Sequence, residues 1–92
     1  MSSDIVRYRV VVHGRVQGVF YRDECRHMAE TAGVRGWITN AADGTVVAAL
    51  EGEPAAVDRL LAWMREGPRR ARVTRVDAGP ESPRGERGFA VR

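Results

Sequence analysis

Between residues 6 and 32 the apolar side chains change their spacing once, and that change constrains the fold more than any other feature of the chain. Val6, Tyr8, Val10 and Val12 alternate with Arg7, Arg9 and His13, the period of two expected of a strand with one buried face. Beyond Gly14-Arg15-Val16-Gln17-Gly18-Val19-Phe20, the residues Tyr21, Cys25, Met28, Ala29 and Ala32 recur at the spacing of one helical face. Asp23 and Glu24 fall in the first helical turn, where carboxylates suit the positive end of the helix dipole, and Gly33 stands just past the last turn as a stop. A strand therefore passes into a helix through a loop bracketed by two glycines.

The rest of the chain adds a hairpin, a second helix and further strands. Val34 to Asn40 is β-prone, and the Asp43-Gly44 pair after it signals a tight reversal before a strand over Thr45 to Glu51. Val46, Ala48 and Leu50 give that strand an inward face. Pro54 suits a helix's first turn, and Val57, Leu60, Leu61 and Met64 form its apolar stripe up to the stop at Gly67-Pro68. Ala71 to Asp77 reads as a fourth strand in which Val73 and Val76 break strict alternation and predict a bulge. Residues 78–87 have no periodicity and read as a polar loop, and Gly88 to Arg92 supplies a short last strand through Phe89 and Val91. This β-α-β-β-α-β order predicts an α+β fold, a ferredoxin-like sandwich with an antiparallel sheet and two helices on one face. With 92 residues, 43% of them hydrophobic, the whole chain (1–92) is expected to be one domain with a thin core. The architecture hosts RNA binders, metal carriers, regulatory modules and enzymes, so the sites must decide the function.

Composition removes several classes of function. No apolar run approaches the ~18 residues that would span a bilayer, and Asp4, Arg7 and Arg9 occupy the place of a signal core; a cytoplasmic protein with no membrane partner is expected. Cys25 is the only cysteine, which rules out an internal disulfide, a two-cysteine redox motif and a cysteine-cluster zinc site; on its helical face it reads as core. His13 and His27 have no partners at ligand spacing, so no metal and no cofactor are expected. Trp37 and Trp63 are assigned to packing. All 15 basic residues are arginine, and Arg65, Arg69, Arg70, Arg72 and Arg75 cluster late in the chain. They could attract anions; the favoured reading is a solvated strand edge kept from pairing with other chains.

The loop from Gly14 to Phe20 is where chemistry is expected. Several unpaired backbone N–H groups can converge on an anion where a strand enters a helix, and Gly14 and Gly18 permit backbone angles and a close ligand approach that other residues do not. Arg22 follows in the first helical turn, where its planar fork could hold two phosphate oxygens within the field of the helix dipole. Two glycines in a loop are ordinarily only a turn. The Gly-x-x-x-Gly spacing and the lack of any lysine exclude a Walker-type loop.

Gly14-Arg15-Val16-Gln17-Gly18-Val19-Phe20-Tyr21-Arg22 resembles the phosphate-binding signature of the acylphosphatases, and Gly36-Trp37-Ile38-Thr39-Asn40 with Asp43-Gly44-Thr45-Val46 and Gly52 is similar to that family's second motif. The likeness runs on through Gly67-Pro68, Ala71, Val73, Val76 and Phe89, whereas Ile38 and Thr39 differ from the side chains usual at their places. The resemblance implies an enzyme that hydrolyses the carboxyl-phosphate bond of small-molecule acyl phosphates. It further implies that Arg22 binds the phosphate, that the amides of Arg15, Val16, Gln17, Gly18, Val19 and Phe20 complete the cradle, and that Asn40 positions the attacking water. Inorganic phosphate would be product and competitive ligand.

The residues accommodate that division of labour. An amide such as that of Asn40 can orient water and cannot act as a base; outside this context it would read as a turn former before the hairpin. No base stands near either motif, and a phosphate oxygen with a second pKa of ~6 can take the proton itself. A carboxylate leaving group, whose parent acid has a pKa of ~4, needs no general acid. Positioning and electrostatics remain as the protein's task. The rivals are a non-catalytic phosphate-binding module and an RNA-binding module on the same architecture. Val46-Val47-Ala48-Ala49-Leu50 lacks the stacking aromatics an RNA-binding sheet needs, so no nucleic-acid partner is expected, and the small size suggests a monomer.

Overall fold

The computed structural model describes residues 4–92. Strand β1 (Val6–Arg15) leads to helix α1 (Tyr21–Ala32), strands β2 (Arg35–Asn40) and β3 (Val46–Gly52), helix α2 (Pro54–Glu66), and strands β4 (Arg72–Glu81) and β5 (Phe89–Val91). The strands form one sheet in the order β4-β1-β3-β2-β5. Alternation puts Val10, Val12, Ile38, Val46, Ala48 and Leu50 on one face, where they meet Tyr21, Cys25 and Ala29 of α1 and Val57, Leu60, Leu61 and Met64 of α2. Both helices thus cover a single face, as the two periodicities predict. The opposite face is left to side chains from the other half of each strand.

Three details depart from expectation. The sheet is mixed: β4, β1, β3 and β2 are antiparallel to their neighbours, but β5 runs parallel to β2, with Ile38 opposite Val91. The chain leaves β4 at one edge and must cross to the other, where only a strand parallel to β2 can follow. Strand β4 also extends through Ala78–Glu81, read from sequence as loop, because these residues pair with Arg7 to Val10 of β1. All but Glu81 are exposed, so burial imposes no pattern on them, and Pro80 is tolerated because β4 is an edge strand. On α1, Met28 is 42% exposed and does not join the buried face; the stripe that packs is Tyr21, Cys25 and Ala29.

The predicted bulge in β4 is present. His13 faces Arg75 whereas Gly14 faces Val73, which leaves Thr74 as the extra residue. Gly14 serves this irregularity: a Cβ there would lie 2.0 Å from the Arg72 carbonyl oxygen. The sequence reading gave Gly14 a role in approaching a ligand, and the structure instead assigns it to the close contact of β1 with β4.

At the opposite end of β1 an ion cluster is buried that no periodicity announced. Arg7 and Glu51 are each 1% exposed, and the Arg7 guanidinium donates to Glu51 at 3.0 Å, to Glu81 at 3.0 Å and to Glu86 at 2.9 Å. The segment crossing from β4 to β5 closes over them, with the N–H groups of Arg84, Gly85 and Glu86 donating to the Glu51 carboxylate at 2.7 to 3.1 Å. Burial, the largest single influence, pushes the Glu51 carboxyl up; the amide and guanidinium donors together outweigh it and bring its pKa down to about 2. The Arg7 guanidinium loses hydration on burial, but its three carboxylate partners keep it firmly charged.

Candidate active site

The loop between β1 and α1 is pinned from inside and open outside. Val16 and Val19 are buried in the core, while Gly18 and Phe20 are exposed. Gly18 has φ +74° with open space where a Cβ would lie, so here the glycine answers to backbone angle alone. Gln17 ties the loop to the β2–β3 hairpin: its side-chain amide donates to the carbonyls of Ala41 at 2.8 Å and Thr45 at 2.9 Å. The hairpin is in turn braced by Asp43, which accepts from the Thr45 N–H at 3.0 Å and hydroxyl at 2.7 Å.

With the loop held this way, the N–H groups of Val16, Gln17, Gly18, Val19 and Phe20 donate to no acceptor among the described residues. Those of Tyr21, Arg22 and Asp23 open α1, where an α-helix offers its own N–H groups no acceptor. A run of free donors at the positive end of a helix favours an anion. The depression at this place, about 270 Å³, is lined by Val16, Gly18, Phe20, Tyr21, Arg22, Asp23 and Val91.

Arg22 is half-buried and donates to the backbone carbonyl oxygen of Arg92 at 2.8 Å. The Thr39 hydroxyl reaches the same oxygen at 3.3 Å, which draws the end of β2 towards Arg22. Asn40 is thus flanked on one side by Thr39, linked to the Arg22 partner, and on the other by Ala41, linked to Gln17. It is the exposed last residue of β2 and pairs with Val46. Of the residues singled out in the sequence, Val16, Gly18, Phe20 and Arg22 line the depression, and Asn40, at the end of β2, is not in its lining but sits between the Thr39 and Ala41 contacts. Gln17 and Val19 hold the loop, and Arg15, paired with Arg72 at the end of β1, lies apart from the lining.

Charge around the depression is set by few groups. Asp23 is the one acid in the lining, and its hydrogen bond from Arg26 at 2.9 Å lowers its pKa. Tyr21 donates its hydroxyl to the Met64 carbonyl at 2.7 Å, and burial raises its pKa, so it is a buried anchor of α1. Burial pushes the Cys25 thiol up to about 12, which leaves it protonated and without nucleophilic character. Among the described residues no three His, Cys, Asp or Glu side chains gather at metal-binding distance. No helix of the described residues is long and apolar enough to cross a membrane.

Sequence reading missed Val91 in the lining, the Gln17 anchor, and the Arg22–Arg92–Thr39 contact. The last depends on β5 lying parallel to β2, a pairing no local pattern reveals.

The family model for acylphosphatase matches residues 8–91. The chain belongs to the acylphosphatase family. It is 54% identical over 87 residues to an acylphosphatase of Rubrobacter xylanophilus, spanning 94% of this chain and 79% of that one. The structure of an acylphosphatase from Coxiella burnetii superposes with a TM-score of 0.93 at 34% identity, covering 97% of this chain and 94% of the other. That of Bacillus subtilis gives 0.91 at 30% identity, with 94% and 97% covered. The family's fold is therefore the one described above, and the five-stranded mixed sheet with two helices on one face is shared with these enzymes.

Proposed function

We propose that this protein hydrolyses the carboxyl-phosphate bond of small acyl phosphates, releasing a carboxylate and inorganic phosphate, by in-line attack of a positioned water. The observation that carries the reading is the run of amides from Val16 to Phe20 that meet no acceptor among the described residues, in a loop whose Val16, Gly18 and Phe20 line one depression with Arg22, within a chain of the acylphosphatase family. Three phosphoryl oxygens can share those donors and the Arg22 fork. Charge that grows on them as the P–O bond stretches meets dipoles already oriented, so little reorganisation is needed. Asn40, held at the end of β2, orients the water; the substrate's own phosphoryl oxygen accepts the water's proton, and the carboxylate departs unprotonated.

No metal or cofactor enters this scheme. The reading takes the 92 residues as one catalytic unit acting as a monomer in the cytoplasm, on small molecules and without a nucleic-acid partner. A single buried thiol supports a reducing compartment.

The decisive experiment is turnover of benzoyl phosphate with inorganic phosphate as competitor, run on the wild type, Arg22→Ala and Asn40→Ala. Arg22→Ala loses both turnover and phosphate inhibition. Asn40→Ala keeps phosphate inhibition and loses roughly 100-fold or more in kcat, the scale of a misplaced reactant or a lost transition-state donor. Full activity in Asn40→Ala rules out the water-positioning role, and activity abolished by EDTA rules out the metal-free scheme.

A further inference from the structure

Phe20 occupies a position that its side chain makes costly and that nothing in the fold rewards. It is the only non-glycine residue with positive φ among the described residues, at φ 63° and ψ 19°, a conformation that a Cβ disfavours by roughly 1–2 kcal/mol. It is also the N-cap of α1, where Ser, Asp or Asn would satisfy a free N–H and glycine would relieve the backbone; Phe20 makes no side-chain cap bond. Its ring is not buried in compensation, since the residue is 69% exposed. A large apolar residue held in a strained conformation, without capping or packing in return, points to function and away from stability.

Its location says which function. Only four large apolar residues among those described are exposed, and two of them, Phe20 and Val91, line the same small depression as Arg22. They come from unrelated parts of the chain, the β1–α1 loop and β5, and meet at the mouth of the anion site. We infer that Phe20 and Val91 form an apolar wall that receives the acyl portion of the substrate, so that the site selects acyl phosphates with an aromatic or extended apolar acyl group over the smallest ones. This rests on the hydrolytic reading above and adds the substrate class. The phosphoryl group is gripped by backbone and Arg22 whatever it is attached to, which leaves discrimination to the groups at the rim. A depression of about 270 Å³, at the lower edge of the ~300–1,000 Å³ usual for small-molecule pockets, has room for little more than the phosphoryl group and one ring. An acyl ring against Phe20 adds an aromatic contact that acetyl cannot make.

The test measures kcat/KM for benzoyl phosphate divided by that for acetyl phosphate, a ratio in which any disturbance of the shared phosphate cradle cancels. It is taken for the wild type, Phe20→Gly, Phe20→Leu and Val91→Ser, with urea unfolding of each. An aromatic contact corresponds to a roughly 3- to 10-fold fall in the ratio for Phe20→Gly. Phe20→Leu retains most of the ratio, and Val91→Ser lowers it by a smaller factor. Phe20→Gly unfolds at the same or higher urea concentration than the wild type, because glycine accepts the left-handed backbone; a residue retained for structure would lose stability instead. A ratio unmoved within twofold in Phe20→Gly, with both substrates turned over, overturns this inference alone. Failure of the wild type to hydrolyse either substrate overturns the hydrolytic reading and this one with it.

Discussion

Replacing Glu51 with leucine removes the buried anion around which the β4–β5 crossing is organised, and the structure sets the scale of the loss. Glu51 and Arg7 are both 1% exposed, so the Arg7 charge left behind cannot reach bulk water without moving the crossing segment. Two of its three carboxylates remain, Glu81 and Glu86, but these are 25% and 24% exposed and act through a more polar medium. The N–H groups of Arg84, Gly85 and Glu86 lose their acceptor at the same time. Removing one member of a buried ion pair costs ~3–5 kcal/mol, a large share of the ~5–14 kcal/mol expected for a domain of this size. At ~4–8 °C per kcal/mol the midpoint of thermal unfolding falls by roughly 12–40 °C. Yet Glu51 pairs with Arg7, and Arg15 at the loop end lies eight residue steps along the strand from Arg7, ~26 Å at ~3.3 Å per step. At a temperature where the variant is folded, kcat/KM for benzoyl phosphate is therefore that of the wild type. Urea unfolding followed by tryptophan fluorescence, with turnover measured on the same samples, checks both halves. A loss below 1 kcal/mol, or a loss of activity without unfolding, refutes the reasoning.

The same carboxylate gives the pH dependence its sign. Glu51 ionises more readily in the folded protein, at about 2 against an ordinary value of 4.5. Its contribution is fully present above pH 4.5 and drains away as pH falls towards 2. Glu51→Gln cannot titrate, so the gap in urea midpoint between it and the wild type narrows across that interval. A gap that stays constant from pH 5 to pH 2 contradicts the assignment.

Other expectations follow from single positions. A Cβ at Gly36 would lie 1.8 Å from the Ala49 carbonyl oxygen, whereas one at Gly18 meets nothing within 4 Å; Gly36→Ala therefore costs at least ~3 kcal/mol by urea titration, and Gly18→Ala only the ~1–2 kcal/mol of a left-handed backbone. Cys25, fully buried with its thiol pushed up to about 12, resists a disulfide-exchange reagent in the native protein and reacts once urea unfolds it; rapid native labelling contradicts the packing. Gln17→Leu removes both side-chain bonds to the hairpin and should lower kcat more than it weakens phosphate inhibition, since the loop keeps its amides but loses its alignment with Asn40. Equal changes in the two quantities would count against an aligning role.

How much of this was readable from sequence depended on whether a feature leaves a local mark. Both helices and the β2–β3 hairpin are present as read because each buries a regular stripe: Tyr21, Cys25 and Ala29 on α1, Val57, Leu60, Leu61 and Met64 on α2, and alternate residues of β3. The loop and Arg22 were recognisable as a motif. What escaped detection is non-local. Arg7 looks like an outward residue of an alternating strand, and it is buried only because a segment some 80 residues later folds over it. Ala78–Glu81 is strand by virtue of its partner, not its composition. Gly14 and Gly18 look alike in sequence, but one is required by the β4 carbonyl it touches and the other by its backbone angle.

The two ends of β1 show how so small a domain separates stability from chemistry. At the Val6 end, buried polar groups are matched: a guanidinium meets three carboxylates, and a carboxylate meets three amides, so that end gains rigidity from electrostatics. At the Arg15 end, the amides of residues 16–20 meet no acceptor among the described residues, Phe20 is held in the left-handed region and Arg22 points at the Arg92 carbonyl. Donors left unpaired and a backbone left strained lower the stability of the empty protein, and an anion seated there would recover part of that loss through bonds no protein group supplies. Bound phosphate should then stabilise the fold in proportion to RT ln(1 + [L]/Kd), and it should do so equally in the wild type and in Glu51→Gln, because the two ends share a strand but no ligand contact. Thermal shifts with phosphate that differ between those two proteins would show that the ends are coupled after all.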